Sequence, residues 1–207
     1  MKFPEFFDAA PRIRLRDPLA QFLGAAEDGI LEYGYGDAVK LAGHSCPTVA
    51  SAYLMTRAAL AALYPGEVPE RGAVRVEMHD PAEEGVAGVI ANVAGLLTGA
   101  AQAGGFKGIG GRFVRRDLLS FGQPISGQVR FTRKDTGASV GVSARLDRVP
   151  ADPRVGMLLP RILAGAASAE EAQLFRALWQ GRVRSLLLEH ADDPEVIVVH
   201  AEKAQRA

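Results

Sequence analysis

A histidine and the only cysteine of the chain stand two residues apart, at His44 and Cys46, directly before Pro47. Proline favours the first position of a helix, and neither Gly nor Pro follows until Pro65. The spacing therefore predicts a helix from Pro47 to about Tyr64 with Cys46 as its N-cap. Unpaired N–H groups at a helix N-terminus favour an anion, so a thiol placed there ionises more easily. Thiolate is both the nucleophilic and the metal-binding form of cysteine, so the pair predicts either thiol chemistry or a metal site.

If His44 and Cys46 bind a metal, the site needs at least one more ligand, because zinc sites have three or four protein ligands. On an extended segment His44 and Cys46 project to the same side. The best third ligand is His79, on the polar side of a predicted strand, with Asp80 and Glu77 as alternatives. The fourth position of zinc, or of another divalent transition metal, would then be open as in catalytic sites. In the thiol hypothesis Cys46 is the nucleophile and His44 its base. The third alternative is a buried, unreactive thiol.

A glycine-rich segment with two cations, Lys107 and Arg112, extends over residues 98–112. Flexible backbone and cations together can bind a phosphate or a carboxylate. The spacing fits neither a P-loop nor a dinucleotide fingerprint, because these glycines follow a predicted helix instead of preceding one. We therefore expect Lys107 and Arg112 to complete, with Cys46, a pocket for a small anionic ligand. The alternative is a plain connection between a helix and a strand.

Composition limits the possible partners. The 207 residues suit a single domain, and 48% are apolar and 23% charged. Lys plus Arg equals Asp plus Glu at 24 each, and a formal net charge of zero argues against general nucleic-acid binding. One cysteine cannot form an internal disulfide, and no apolar run reaches the roughly 20 residues of a membrane span. We expect a cytoplasmic protein with no nucleic-acid and no membrane partner.

Periodicity and turn residues outline the elements that must position the motif. Residues 30–35 and 37–41 are typical of a short hairpin whose second strand leads to His44. Residues 73–79 alternate apolar and polar side chains, which predicts a strand with one buried face. A helix from about Glu83 then places an apolar stripe on the sheet.

The second half of the chain is predicted to contain a further hairpin, two helices and a last strand. These cover residues 128–134 with 138–149, 153–167, 168–190 and 195–200. The whole pattern predicts one α+β domain over residues 1–207, in which an antiparallel or mixed sheet packs against helices. Its motif-bearing core spans about 37–150, and the C-terminal helices and final strand occupy 151–207.

The segment Gly43-His44-Ser45-Cys46-Pro47 resembles the Gly-His-x-Cys-Pro signature of the FmdE family, proteins similar to the FmdE component of formylmethanofuran dehydrogenase. In that family the motif opens a long helix, followed by a strand, a second helix and a glycine- and lysine-bearing loop that contains Thr-Gly. Here Thr98-Gly99, Lys107-Gly108 and Gly110-Gly111 stand in that order, and the resemblance covers about residues 37–122. The chain departs from the family at Thr48, where glycine is usual, and it lacks the cysteine-rich zinc-ribbon tail of some members.

The resemblance implies an α+β domain, a homodimer and a metal site, most often zinc, built on the motif. Residue by residue it assigns only His44 and Cys46. It does not imply redox chemistry on formylmethanofuran, which belongs to other components of that enzyme. The expected function is that of an FmdE-like metal-binding protein that binds or transforms a small anionic ligand. The alternatives are a metal-free thiol enzyme and a non-enzymatic accessory factor for a molybdenum or tungsten enzyme.

Overall fold

The computed structural model describes residues 2–201, and within them the chain has an α+β fold of seven α-helices and two β-sheets, which confirms the predicted class. The helices are α1 (Phe6–Ala9), α2 (Pro18–Phe22), α3 (Tyr35–Ala42), α4 (Pro47–Leu63), α5 (Ala87–Thr98), α6 (Pro153–Leu163) and α7 (Ala169–Leu188). The strands are β1 (Ile13–Arg16), β2 (Ile30–Tyr33), β3 (Val74–Met78), β4 (Leu119–Ser120), β5 (Val129–Arg133), β6 (Ser139–Ala144) and β7 (Ile197–Ala201).

The larger sheet has five strands in the order β4-β3-β5-β6-β7, antiparallel throughout except for the parallel pair β3 and β4. The smaller sheet is the antiparallel pair β1 and β2. Helix α4 contacts β5, β6 and β7 and also α3, α5 and α7. Among the described residues, none of the helices combines the length and the apolar character that crossing a membrane requires.

Helix α4 forms as predicted, because its start and its end are both encoded locally. Cys46 is the N-cap, with extended backbone, and Pro47 occupies the first position. The helix ends at Leu63, before Pro65 and Gly66. Its side chains are buried on most sides, so α4 forms the centre of the hydrophobic core.

The predicted hairpin before the motif is wrong in its second half. Residues 37–41 belong to helix α3, and β2 pairs with β1 instead. Asp37 favours the helix because its carboxylate accepts the N–H of Gly34, the N-cap, at 3.0 Å. Lys40 also donates to Asp37 across one turn. The helix ends at Gly43, whose φ of 75° suits glycine, and this turn leads the chain to His44.

The predicted strand over 73–79 and the hairpin around residues 135–137 are confirmed as β3, β5 and β6. One prediction about β3 needs correction. Glu77 was expected on a polar face, but it is buried and accepts two hydrogen bonds from Arg130, at 2.9 and 2.6 Å. This cross-strand ion pair allows a carboxylate to occupy a covered side of the sheet.

Candidate functional site

The His44–Cys46 segment is a short extended link between the end of α3 and the start of α4. Cys46 is buried, with 8% of its surface exposed, and its Sγ accepts the backbone N–H of Val49 at 3.4 Å. The sulfur therefore takes the place that a serine or aspartate oxygen has in most N-caps. Unpaired N–H groups and the positive end of a helix dipole favour a hydrogen-bond acceptor or an anionic ligand at such a position.

Side chains of α3 and α7 hold Ser45, the middle residue of this segment, by hydrogen bonds. Its hydroxyl donates to Oε1 of Gln180 at 2.9 Å and lies 2.9 Å from the hydroxyl of Tyr35. Because Ser45 has a single hydroxyl proton, Tyr35 is the donor in the second bond. The carbonyl of Ser45 accepts from Nε1 of Trp179 at 3.0 Å and from Nε2 of Gln180 at 3.2 Å. Burial raises the pKa of Tyr35, so its hydroxyl stays protonated and can donate.

His44 is exposed, and its ring is oriented by the backbone of α3. Nδ1 lies 2.9 Å from the carbonyl oxygen of Ala42, which requires Nδ1 to carry the proton. Nε2 then presents its lone pair, and no hydrogen bond engages it within residues 2–201. A small cavity of about 150 Å³ adjoins the ring and is lined by α3 and by one face of α5.

The ring of His79, like that of His44, is oriented by a hydrogen bond at Nδ1. It is exposed after the end of β3, and its Nδ1 lies 2.7 Å from Oδ1 of Asp80. Over the described part of the chain, no group of three or more His, Cys, Asp or Glu side chains could hold a metal ion. His79 therefore does not join His44 and Cys46 in one ligand set within a single chain. Imidazole and thiolate suit zinc as donors, but one chain supplies two of them where three are needed.

Arg112, one of the two cations expected beside Cys46, lies in another part of the fold. Lys107 is exposed, and Arg112 lines a cavity of about 530 Å³ that includes neither His44 nor Cys46. That cavity also includes Lys134, which follows Arg133, and Arg133 donates to the carbonyl of Leu63 at the far end of α4. Seventeen helical residues separate the two ends by roughly 25 Å. Arg112 and Cys46 therefore do not share a pocket.

Sequence reasoning missed the residues that hold the segment in place. Tyr35 belongs to a helix predicted as a strand, and Trp179 and Gln180 lie on α7, more than 130 residues after Ser45. No spacing pattern links residues so far apart, although a polar Gln beside a Trp on an amphipathic helix is a weak indication of a buried contact.

A scan against protein-family models finds no match to this chain, and no curated protein matches it either. The likeness to FmdE therefore rests on the motif and on the order of the elements after it. What the site can do follows from its geometry: it presents one sulfur at a helix N-terminus and one oriented imidazole two residues earlier.

Proposed function

We propose that the protein is a cytoplasmic, homodimeric metal-binding protein in which His44 and Cys46 supply an imidazole nitrogen and a thiolate to one zinc-type ion. The supporting observation is the orientation of His44, whose Nδ1 is bonded to the carbonyl of Ala42. Histidines that ligate metals commonly use one nitrogen for such a bond and the other for the ion. The sulfur of Cys46 follows two residues later at the N-cap of α4, and thiolate is the form in which cysteine binds metals.

Within residues 2–201 no third ligand joins His44 and Cys46, so we look for it on a second copy of the chain. His79 is the best donor, because Asp80 orients its ring, it is exposed, and its Nε2 has no hydrogen bond within residues 2–201. We therefore assign the third position to His79 of a second copy, which makes the dimer part of the site. The remaining position is open to water or to a small anionic ligand. Bound zinc would hold the thiolate ionised and lower the pKa of that water.

The cellular location follows from the thiol. The chain has one cysteine, which is free and cannot form an internal disulfide. A free thiol that binds a metal is kept reduced in the cytoplasm, whereas oxidising compartments favour disulfides. This supports the cytoplasmic part of the proposal.

A cobalt titration tests the metal site. Co²⁺ replaces zinc in thiolate sites and gives an absorption band that reports a sulfur–metal bond. The expected result is saturation at one ion per chain, with the band absent in Cys46→Ser and the affinity at least tenfold weaker in His44→Gln. His79→Gln should weaken binding and abolish any metal-dependent dimer in size-exclusion chromatography. His190→Gln is the matched control, because Asp193 engages that ring, and it should bind like the wild type.

Two results would contradict the proposal. The first is a wild-type protein that shows no sulfur–cobalt band at millimolar cobalt. The second is a band that survives in Cys46→Ser. A His79→Gln variant that binds normally would remove the dimeric arrangement but leave the two local ligands in place.

A metal-free thiol function for Cys46 is the second candidate. The observation that favours it is the N–H of Val49 directed at Sγ, together with the lack of a third ligand beside His44 and Cys46 in the described part of the chain. No hydrogen bond joins His44 to Sγ within the described residues, so another group would have to act as the base. Rapid alkylation of the metal-free protein by iodoacetamide at neutral pH, unaffected by added zinc, would favour this candidate over the metal site.

A further inference from the structure

A second and larger cavity, of about 530 Å³, lies near the opposite end of α4 from Cys46. Four separate segments form it: the start of α2, the residues just before β3, residues 112–115 of the connection between α5 and β4, and the turn between β5 and β6. We call it the arginine cavity. It shares no residue with the proposed metal site.

The walls of the arginine cavity are rich in positive charge. Its cationic lining residues are Arg71, Arg112, Arg115 and Lys134. Its two carboxylates are Glu70 and Asp135, and Asp135 is already held by Arg133 through two hydrogen bonds of 3.0 and 2.6 Å. Within residues 2–201, neither Arg112 nor Lys134 forms an ion pair with a carboxylate. Two cations at the cavity therefore have no anionic partner in the part of the chain that the structure describes.

Arg115 places a further, poorly compensated charge in the wall. Only 6% of its surface is exposed, and Nη2 donates to Oδ1 of Asp17 at 2.7 Å. Arg71 donates to the other oxygen of Asp17 at 2.9 Å, so two guanidinium groups share one carboxylate. Nε and Nη1 of Arg115 are buried without a hydrogen-bond partner. The guanidinium lies so close to Gly72 that a Cβ there would be 2.6 Å from its Cζ, so this position requires glycine.

Phe113 adds a strained backbone to the same wall. Its φ is 62°, in the left-handed region that bulky residues seldom adopt. Its ring lies 4.8 Å from the guanidinium carbon of Arg112, a cation–π contact that orients this arginine. Strained residues that the surrounding structure holds in place are concentrated at ligand sites.

We propose that the arginine cavity binds the phosphate group of a small phosphorylated molecule. Arg112 and Lys134 supply charge-assisted hydrogen bonds to the phosphate oxygens, and the buried charge of Arg115 strengthens the attraction from behind. A phosphate carries up to two negative charges at neutral pH and matches this excess of cations better than a carboxylate does. The cavity volume leaves room for an organic group beyond the phosphate.

The test is a titration of the full-length protein with inorganic phosphate, followed by ³¹P NMR at constant ionic strength. The wild type should show saturable binding, and acetate at the same ionic strength should not displace the phosphate. Arg112→Gln and Lys134→Gln should each weaken binding at least tenfold, because each removes a hydrogen bond to a charged group. Both residues are exposed, so these variants should fold normally.

Two control variants test whether phosphate binding is specific to the cavity and whether it is independent of the proposed metal site. Lys107→Gln makes the same charge change in the same connection, but Lys107 does not line the cavity, so binding should stay at the wild-type level. Cys46→Ser should also bind phosphate normally, whatever its metal content. The proposal is overturned if the wild type shows no saturable binding, or if Lys107→Gln weakens binding as much as Arg112→Gln does.

Discussion

The segment around Cys46 and the arginine cavity lie toward the two ends of α4 and use opposite kinds of interaction. Around Cys46 the contacts of Ser45 are hydrogen bonds among a hydroxyl, an amide and an indole, none of them charged. Among the residues that line the arginine cavity cations outnumber carboxylates, and two of its arginines share the buried carboxylate of Asp17. The first region holds reactive residue types in a neutral setting, and the second holds ordinary residue types in a strongly charged one.

The difference indicates what each region lacks. Within residues 2–201 the proposed metal site has two ligands, His44 and Cys46, so that region is short of donors for a metal. The cavity around Arg115 is short of negative charge, because Arg71 and Arg115 share the single carboxylate of Asp17 and two nitrogens of Arg115 are buried without a hydrogen-bond partner. A metal with a second chain would complete the first region, and an anion would complete the second.

The largest expected effect on stability is that of Asp17→Asn, a change at the carboxylate that pairs with two arginines of the arginine cavity. It should lower the free energy of unfolding by about 3 kcal/mol, because it leaves two guanidinium groups without their shared carboxylate. Asn keeps the N-cap of α2, so the loss reports charge and not capping. Urea unfolding at neutral pH measures it. Asp192→Asn is the control: that carboxylate is exposed in its pair with Arg57, and its loss should cost less than about 1 kcal/mol. Equal losses in the two variants would contradict the comparison.

The loss of stability caused by Asp17→Asn should depend on pH. Burial alone would raise the pKa of Asp17, but hydrogen bonds from Arg71 and the N–H of Ala20 and the charge of Arg115 hold it below its ordinary value of 3.8. The stability that Asp17 contributes is therefore complete above that value and is lost as the pH falls through the lower, folded-state pKa. The difference between wild type and Asp17→Asn should be constant above about pH 5 and should shrink below about pH 4. A difference that grows on acidification would contradict this assignment.

Local signals explain which parts of the fold could be predicted from the sequence. Pro47 and the Pro65-Gly66 pair mark the limits of α4, and residues 135–137 mark the turn between β5 and β6. Residues 37–41 could not be assigned in this way, because a short apolar run suits a strand or a helix equally well. The bond from Asp37 to the N–H of Gly34 favours the helix, and that depends on the geometry of the turn.

The two regions also differ in how far the sequence alone could reveal them. His44 and Cys46 are two residues apart and could be singled out by type and spacing. Asp17 and Arg115 are 98 positions apart, and only the packing of α2 against the connection between α5 and β4 brings them together. Their charges are unremarkable in the composition, so no sequence pattern indicates that they form a buried ion pair. Contacts made by tertiary packing are the part that sequence reasoning misses.

Tyr35→Phe should have an intermediate effect in the neutral region. It removes the hydroxyl that donates to Ser45 and should cost about 1–2 kcal/mol of unfolding free energy. Tyr33→Phe is the matched control, because the Tyr33 hydroxyl makes no hydrogen bond within residues 2–201, and it should change stability by less than about 0.5 kcal/mol. Urea unfolding of both variants makes the measurement. If Tyr35→Phe were as stable as Tyr33→Phe, the contact with Ser45 would not stabilise the segment.

The smallest expected effect on stability is that of substitutions at Cys46, which distinguish the structural role of the sulfur from its proposed chemical role. Cys46→Ala removes the atom that accepts the N–H of Val49 and should cost about 1 kcal/mol, the usual value for a lost N-cap. Cys46→Ser supplies an oxygen to the same N–H and should be more stable than Cys46→Ala in urea unfolding. A serine variant that keeps the cap but loses cobalt binding would show that the sulfur is needed for chemistry and not for the helix. If the two variants are equally stable, the bond from Val49 contributes nothing, and the argument that this N-terminus stabilises a thiolate loses its main support.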